Sequence, residues 1–177
     1  FASDYSTSVF LLNTDGTYFD DRTSQLNIKR GDLNGMGTSI ADIDNDGDLD
    51  IFVTSIVEVE PTTGILRFSG NKLFRNDGQG SFTDISYKSN IFNGGWGWAS
   101  CISDFNNDGL LDIFNTNGWS SSSPKLGEYE SHTKDTVTLF LANESGKFDK
   151  TNIEIGLDDQ GQGRAAVCFD NDNDGDI

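Results

Sequence analysis

The chain has 177 residues, with 29 acidic and 12 basic side chains and a formal net charge of −17. That excess repels phosphate, which excludes nucleic acid and anionic membrane surfaces as partners and makes cations the natural counterpart. No run approaches the ~20 apolar residues of a membrane helix, while 34% aliphatic and aromatic residues, with 13 Phe and 3 Trp, suffice for a packed core rather than a disordered acidic tail.

Along the chain the apolar runs are short and rich in branched or aromatic residues, which predicts strands. Val9-Phe10 is the first marker. Thr38 to Ala41 enters an acidic loop, Asp42-Ile43-Asp44-Asn45-Asp46-Gly47-Asp48-Leu49-Asp50, and Leu49 to Thr54 leaves it. Asn71 to Arg75 and Ser81 to Ile85 flank Asn76-Asp77-Gly78-Gln79-Gly80, a hairpin signal of Asx-Gly type. Ser100 to Ser103 then enters a second loop, Asp104-Phe105-Asn106-Asn107-Asp108-Gly109-Leu110-Leu111-Asp112, and Leu111 to Phe114 leaves it. Leu139-Phe140 follows, and Ala166 to Phe169 enters a third loop starting Asp170-Asn171-Asp172-Asn173-Asp174-Gly175-Asp176. No stretch has a sustained 3.6-residue apolar period with caps.

The loops recur at spacings of 62 and 66 residues, and Val9-Phe10, Leu73-Phe74 and Leu139-Phe140 recur at 64 and 66. A glycine stands seven residues before each loop (Gly35, Gly97, Gly163), and a small residue stands five before it (Gly37, Ala99, Ala165). These registers predict an all-β chain: a β-propeller fragment of about three four-stranded blades with calcium-binding hairpin loops. The approximate units are 1–70, 71–136 and 137–177, fewer than the four to eight blades of a closed ring.

Aspartate outnumbers glutamate 23 to 6, and twelve of the 23 lie in the three loops. Oxygen ligands at positions 1, 3, 5 and 9, a carbonyl at position 7 and Gly at position 6 for the sharp turn suit a hard cation taking six to eight oxygens. The candidate ligands are Asp42, Asp44, Asp46, Asp48 (by its carbonyl) and Asp50; Asp104, Asn106, Asp108, Leu110 (carbonyl) and Asp112; and Asp170, Asp172, Asp174 and Asp176 (carbonyl). The third set is truncated before its position 9, and Asn106 gives the second one charge fewer. An EF-hand needs a bidentate acid at position 12 and flanking helices, whereas position 12 is Val53 or Asn115 and the flanks read as strands. Zinc wants His and Cys, and the chain has one His and two Cys. Magnesium prefers to keep its waters; the expected ion is calcium, at about three sites.

The D-x-D-x-D-G-x-x-D loop in a β repeat of this length resembles the FG-GAP/VCBS repeats of the integrin α-subunit propeller. Gly95-Trp96-Gly97-Trp98-Ala99 and the string from Asp159 through Arg164 to Asp176 are similar to bacterial homologues of cartilage acidic protein, of the ASPIC/UnbV family. The resemblance implies a calcium-stabilised propeller, secreted or envelope-associated, serving adhesion or protein interaction. The Phe-Gly and Gly-Ala-Pro tripeptides that name the repeat are not found, nor is an ASPIC/UnbV segment.

Trp96, Trp98 and Trp119 read as inter-blade packing, with a sugar-stacking surface as the competing role and Trp119 its best candidate. The polar run from Ser120 to Lys134 reads as a long inter-strand loop, in which His132 has no acid or nucleophile at a recognisable spacing. Cys101 and Cys168 lie three and two residues before their loops. Strand alternation points those offsets to opposite faces, so two buried free thiols are expected and no disulfide.

The function expected is a non-enzymatic calcium-binding propeller module of an extracellular or cell-envelope protein, with a protein or glycan ligand of unspecified identity. The alternatives are a lectin or polysaccharide lyase on the same propeller, and an inert spacer. Extracellular calcium modules work at about 10⁻⁴ to 10⁻³ M calcium, which argues for location outside the cytosol.

Overall fold

In the computed structural model, residues 2–3, 7–24, 34–59, 62–119 and 132–177 are described. The elements in chain order are β1 (Leu11–Thr14), β2 (Tyr18–Asp21), β3 (Thr38–Ala41), β4 (Asp50–Val53), β5 (Val57–Val59), β6 (Leu66–Ser69), β7 (Lys72–Asn76), β8 (Phe82–Asp84), β9 (Ser100–Ser103), β10 (Asp112–Asn115), β11 (Thr138–Ala142) and β12 (Phe148–Thr151), followed by a short 3₁₀ turn at Ile153–Ile155. All pairings are antiparallel. Two four-stranded sheets result, ordered β3-β4-β7-β8 and β9-β10-β11-β12, with two-stranded hairpins β1-β2 and β5-β6. The boundaries 70/71 and 136/137 of the sequence repeat fall between the second and third strands of these sheets.

The two sheets are equivalent in register. Asp50 pairs with Ala41 and Asp112 with Ser103, so each acidic loop joins the first two strands of a sheet. The Asx-Gly hairpin joins the last two strands of the first sheet, with Gly78, Gln79 and Gly80 all at positive φ.

Packing follows the two-residue period. Phe52 on β4 enters one cluster with Leu73, Ile91, Ile113, Phe140 and Phe148, which draws on both sheets. Its neighbours Ile51 and Val53 point the other way, into a cluster with Phe74, Phe82 and the partly buried Phe10. A strand apolar on both faces is thus sandwiched, each such side chain contributing roughly 1.5–3 kcal/mol on burial. The first strands of the two sheets are also neighbours: Ser39 Oγ lies 2.7 Å from Ser100 Oγ and donates to the Ser100 carbonyl at 3.1 Å. Successive antiparallel meanders packed face to face, with their first strands adjacent, form a propeller-like array.

A side-chain bond repeats at the junctions. Thr54 Oγ1 accepts from the backbone N–H of Gly37 (2.7 Å), as Thr116 Oγ1 accepts from that of Ala99 (3.0 Å). Thr54 Oγ1 also donates to the Trp98 carbonyl at 2.8 Å, tying one sheet to the next. Residue 37 lies so close to this junction that a Cβ there would stand 2.7 Å from the Trp98 carbonyl oxygen.

The structure departs from these expectations at three points. Two four-stranded sheets are described where about three were expected: among the described residues Ala166–Phe169 pairs with no other segment, and β1-β2 stands as a hairpin. The β5-β6 hairpin, inserted between β4 and β7, was not anticipated, although Val57-Glu58-Val59 alternates and Thr62-Thr63-Gly64 is turn-like. Cys101 and Cys168 form a disulfide, with Cα atoms 6.1 Å apart, and both are only half-buried. The alternation argument failed because it treated the two residues as held by the pleat of equivalent strands. Cys101 lies on β9, but Cys168 lies in an unpaired segment free to turn its side chain toward β9.

Candidate metal centre

The three acidic loops share one backbone conformation. Position 4 is left-handed in each, at Asn45 (φ 59°), Asn107 (φ 58°) and Asn173 (φ 62°), and so is position 6, at Gly47 (φ 95°), Gly109 (φ 87°) and Gly175 (φ 98°). Asn tolerates this region better than other non-glycine residues, and Gly enters it without steric cost. These turns aim the loop's N–H groups at the carboxylate of position 1. Asp42 accepts from Asp46 (3.0 Å) and Gly47 (2.9 Å), Asp104 from Asp108 (3.1 Å) and Gly109 (2.7 Å), and Asp170 from Asn173 (2.6 Å) and Gly175 (2.9 Å). The position 5 carboxylate accepts from the N–H of position 7 in each loop: Asp46 from Asp48, Asp108 from Leu110, Asp174 from Asp176.

Position 9 is built differently. Asp50 and Asp112 are buried, and each binds two backbone groups, one in its own loop and one in a distant strand. Asp50 Oδ2 accepts from Ile43 (2.9 Å) and Oδ1 from Asn76 at the end of β7 (2.8 Å); Asp112 Oδ2 accepts from Phe105 (2.9 Å) and Oδ1 from Ala142 at the end of β11 (2.8 Å). Burial pushes both carboxyls above the ordinary carboxylate range, against the pull of those N–H groups. The Asp44 carboxyl is also raised, by desolvation and then by the charge of Asp46. In the third loop the backbone N–H of Gly175 holds Asp170 low, and that of Asp176 holds Asp174 low.

The loops bring carboxylates together in two places. Oxygens of Asp42, Asp44 and Asp50 lie within 4.8 Å of one another, as do those of Asp170, Asp172 and Asp174. At that separation each pair of charges repels by roughly 1 kcal/mol in water and about 3 at an effective dielectric of 20. An all-oxygen triad of this kind can hold a hard divalent cation and is compatible with calcium. In the second loop position 3 is Asn106, whose amide nitrogen donates to Asp108 Oδ2 at 2.9 Å, and its acids form no such triad. Asp46 stands outside the first triad, and Asp48, Leu110 and Asp176 enter these bonds through their N–H groups. Arg75, at the end of β7, grips Asp77 at 2.6 Å, and its charge acts on Asp44 and Asp50.

Sequence reasoning missed two parts of this arrangement. Asn at position 4 in all three loops was a visible signal. The donors Asn76 and Ala142 act through their main chains, so residue type left no trace of them.

The tryptophans form a stack. Trp96 is buried, with Trp119 4.3 Å away at 10° and Trp98 6.3 Å away at 23°; the Arg164 guanidinium lies 3.5 Å from the Trp98 ring centroid. These rings are occupied with one another and with Arg164, the arrangement of packing residues. His132 does have an acid partner, contrary to the sequence reading: its Nδ1 is 2.7 Å from Asp135 Oδ2, which also accepts from the Trp96 N–H at 2.9 Å. The pair is three residues apart, a spacing that carries no catalytic signature in the sequence. It sets the His132 ring edge-on against Trp96, 5.5 Å between centroids. The Ser120–Ser123 run, Pro124 and Glu130, expected in a long loop, lie outside the described residues.

Fold and loops together define a repeat protein of antiparallel four-stranded sheets, each pair of leading strands joined by an Asp-rich turn. Residues 65–115 match the family model of the FG-GAP-like repeat. The matched stretch runs from β6 to the end of β10 and includes the second acidic loop. No curated protein matches the chain. Among the described residues no helix is long and apolar enough to cross a membrane.

Proposed function

We propose that this chain is a calcium-binding propeller module of a secreted or surface protein, serving protein interaction or adhesion, in which calcium is structural and no reaction is catalysed. The observation that carries the reading is the triad of Asp42, Asp44 and Asp50. Its three carboxylates come from a single turn, and one of them, Asp50, also anchors β7 through Asn76. A cation there neutralises the repulsion and stiffens the junction of three strands at once. The repeated loop conformation supports the same role for the other two loops, and the FG-GAP-like match includes the second of them. The net charge of −17 favours cation uptake and leaves a strongly acidic surface toward any partner.

The test is thermal melting during a calcium titration, with magnesium as comparison. A calcium-specific rise in Tm that Asp42→Ala reduces supports the proposal. A folded chain whose Tm ignores calcium overturns it.

A further inference from the structure

Asparagine followed by glycine carries a reaction of its own. The glycine nitrogen can attack the asparagine Cγ, and the missing Cβ leaves that approach and the backbone rotation it needs unhindered. The chain has three such pairs, Asn34-Gly35, Asn93-Gly94 and Asn117-Gly118. Asn34 and Asn117 are buried. Asn117 is held at both ends of its amide: Nδ2 donates to the Thr136 carbonyl at 2.6 Å and to Thr138 Oγ1 at 3.3 Å, and Oδ1 accepts from Asn115 Nδ2 at 2.8 Å. Asn93 is exposed, and among the described residues its side chain makes no hydrogen bond and the Gly94 N–H has no acceptor. No hydrogen bond therefore restrains the two reacting groups of this pair.

The main chain just beyond Asn93 is tightly packed. Gly94 lies where the two four-stranded sheets meet, and its carbonyl accepts from Asn115 Nδ2, at the end of β10, at 3.3 Å. Asn71, one residue before β7, stands so close that a Cβ on residue 94 would overlap its amide nitrogen. Asn71 Oδ1 in turn accepts from the Ser55 N–H at 3.0 Å, and both asparagines are fully buried. Interiors packed to this density do not absorb an added main-chain atom without displacement.

We propose that Asn93-Gly94 is a site of spontaneous deamidation, and that its isoaspartyl product loosens the junction between the two sheets. The Gly94 nitrogen bonds to Asn93 Cγ, the Cγ–Nδ2 bond breaks, and Nδ2 leaves as ammonia with the proton from the Gly94 nitrogen. Water then opens the cyclic imide. Cleavage at Cγ gives aspartate; cleavage at the main-chain carbonyl carbon gives isoaspartate, whose chain runs through the side chain. No oxidant or reductant takes part. The isoaspartyl form inserts one atom ahead of Gly94, which drives that residue against Asn71 and draws its carbonyl away from Asn115, taking one acceptor from a buried amide. The inference is independent of the calcium reading.

The test ages the folded wild-type chain in mildly alkaline buffer and locates isoaspartate by peptide mass and isoaspartyl methyltransferase labelling. Modification is expected at residue 93 and not at 34 or 117. The isoaspartyl species, isolated by chromatography, is expected to unfold at a lower denaturant midpoint with unchanged slope. Freshly prepared Asn93→Asp, with the same charge on an ordinary main chain, should unfold like wild type, and Asn93→Gln should resist ageing. A chain that ages without modification at 93 overturns the proposal. Equal rates at the three pairs overturn it as well, since the fold then makes no selection. An isoaspartyl species with the wild-type midpoint refutes the loosening, and so does an Asn93→Asp midpoint as low as that of the aged species, because the effect then belongs to charge.

Discussion

Asp112 and Ala142 are joined by a 2.8 Å hydrogen bond from the backbone N–H of Ala142 to the carboxylate, across 30 residues of sequence. The same bond joins Asp50 to Asn76 in the first sheet. The last acid of each of these loops thus belongs as much to the third strand of its sheet as to the loop.

Asp112→Ala should therefore damage the sheet as well as the loop. It strands the N–H groups of Phe105 and Ala142, both bonded to this side chain. At ~1–3 kcal/mol for each unsatisfied buried group, the loss for the two together is about 2–6 kcal/mol. Chemical denaturation of the calcium-free chain measures it; a loss visible only in calcium would assign Asp112 to the metal alone.

The contribution of Asp50 and Asp112 to the stability of the calcium-free chain should fall as pH rises toward neutrality. Burial raises the carboxyls of Asp50 and Asp112 in the folded state. Their contribution is therefore fully present below the unfolded carboxylate range and is lost as pH climbs through the raised values. Asp170 and Asp174, held low by backbone N–H groups, act in the opposite sense: their contribution is present above the ordinary carboxylate value and fades below it. Calcium binds only the ionised form, so its gain in Tm should grow between about pH 4 and 7. Melting curves across that range, with calcium and with chelator, make the comparison.

The two left-handed positions should respond unequally to small changes. Gly109 sits at φ 87° and Asn107 at φ 58°. Gly109→Ala places a side chain in that region at about 1–2 kcal/mol, while Asn107→Gly should be nearly neutral. Equilibrium unfolding of the two variants side by side decides this, and equal losses would refute the shared loop conformation.

Gly37→Ala should be destabilising although its repeat mate is Ala99. A Cβ at 37 meets the Trp98 carbonyl at 2.7 Å and Thr54 Oγ1 at 3.0 Å, so backbone must move. Overpacking of this kind costs roughly 1–3 kcal/mol, read as a lowered denaturation midpoint with unchanged slope.

Much of the local structure was legible. Thr38–Ala41 and Ser100–Ser103 are strands with the boundaries the residues suggested, and the Asx-Gly hairpin lies where Asn76-Asp77-Gly78 placed it. Ala166–Phe169 has the same apolar character but pairs with no described segment, and a strand exists only where a neighbour supplies donors and acceptors. The Cys101–Cys168 bond was misjudged for a related reason: alternation governs side chains within a paired strand and says nothing about an unpaired segment.

By itself the sequence determined the all-β character and the form of the three acidic turns. Those depend on interactions within about nine residues: Asn and Gly accept left-handed backbone, and Asp accepts from N–H groups a few positions along. Only the tertiary structure decided that Asp50 reaches Asn76, that Thr54 meets the Trp98 carbonyl and that Cys101 joins Cys168. Two of those contacts end on main-chain atoms that every residue type carries, and all three bridge segments whose approach is set by packing, so no local pattern marks them.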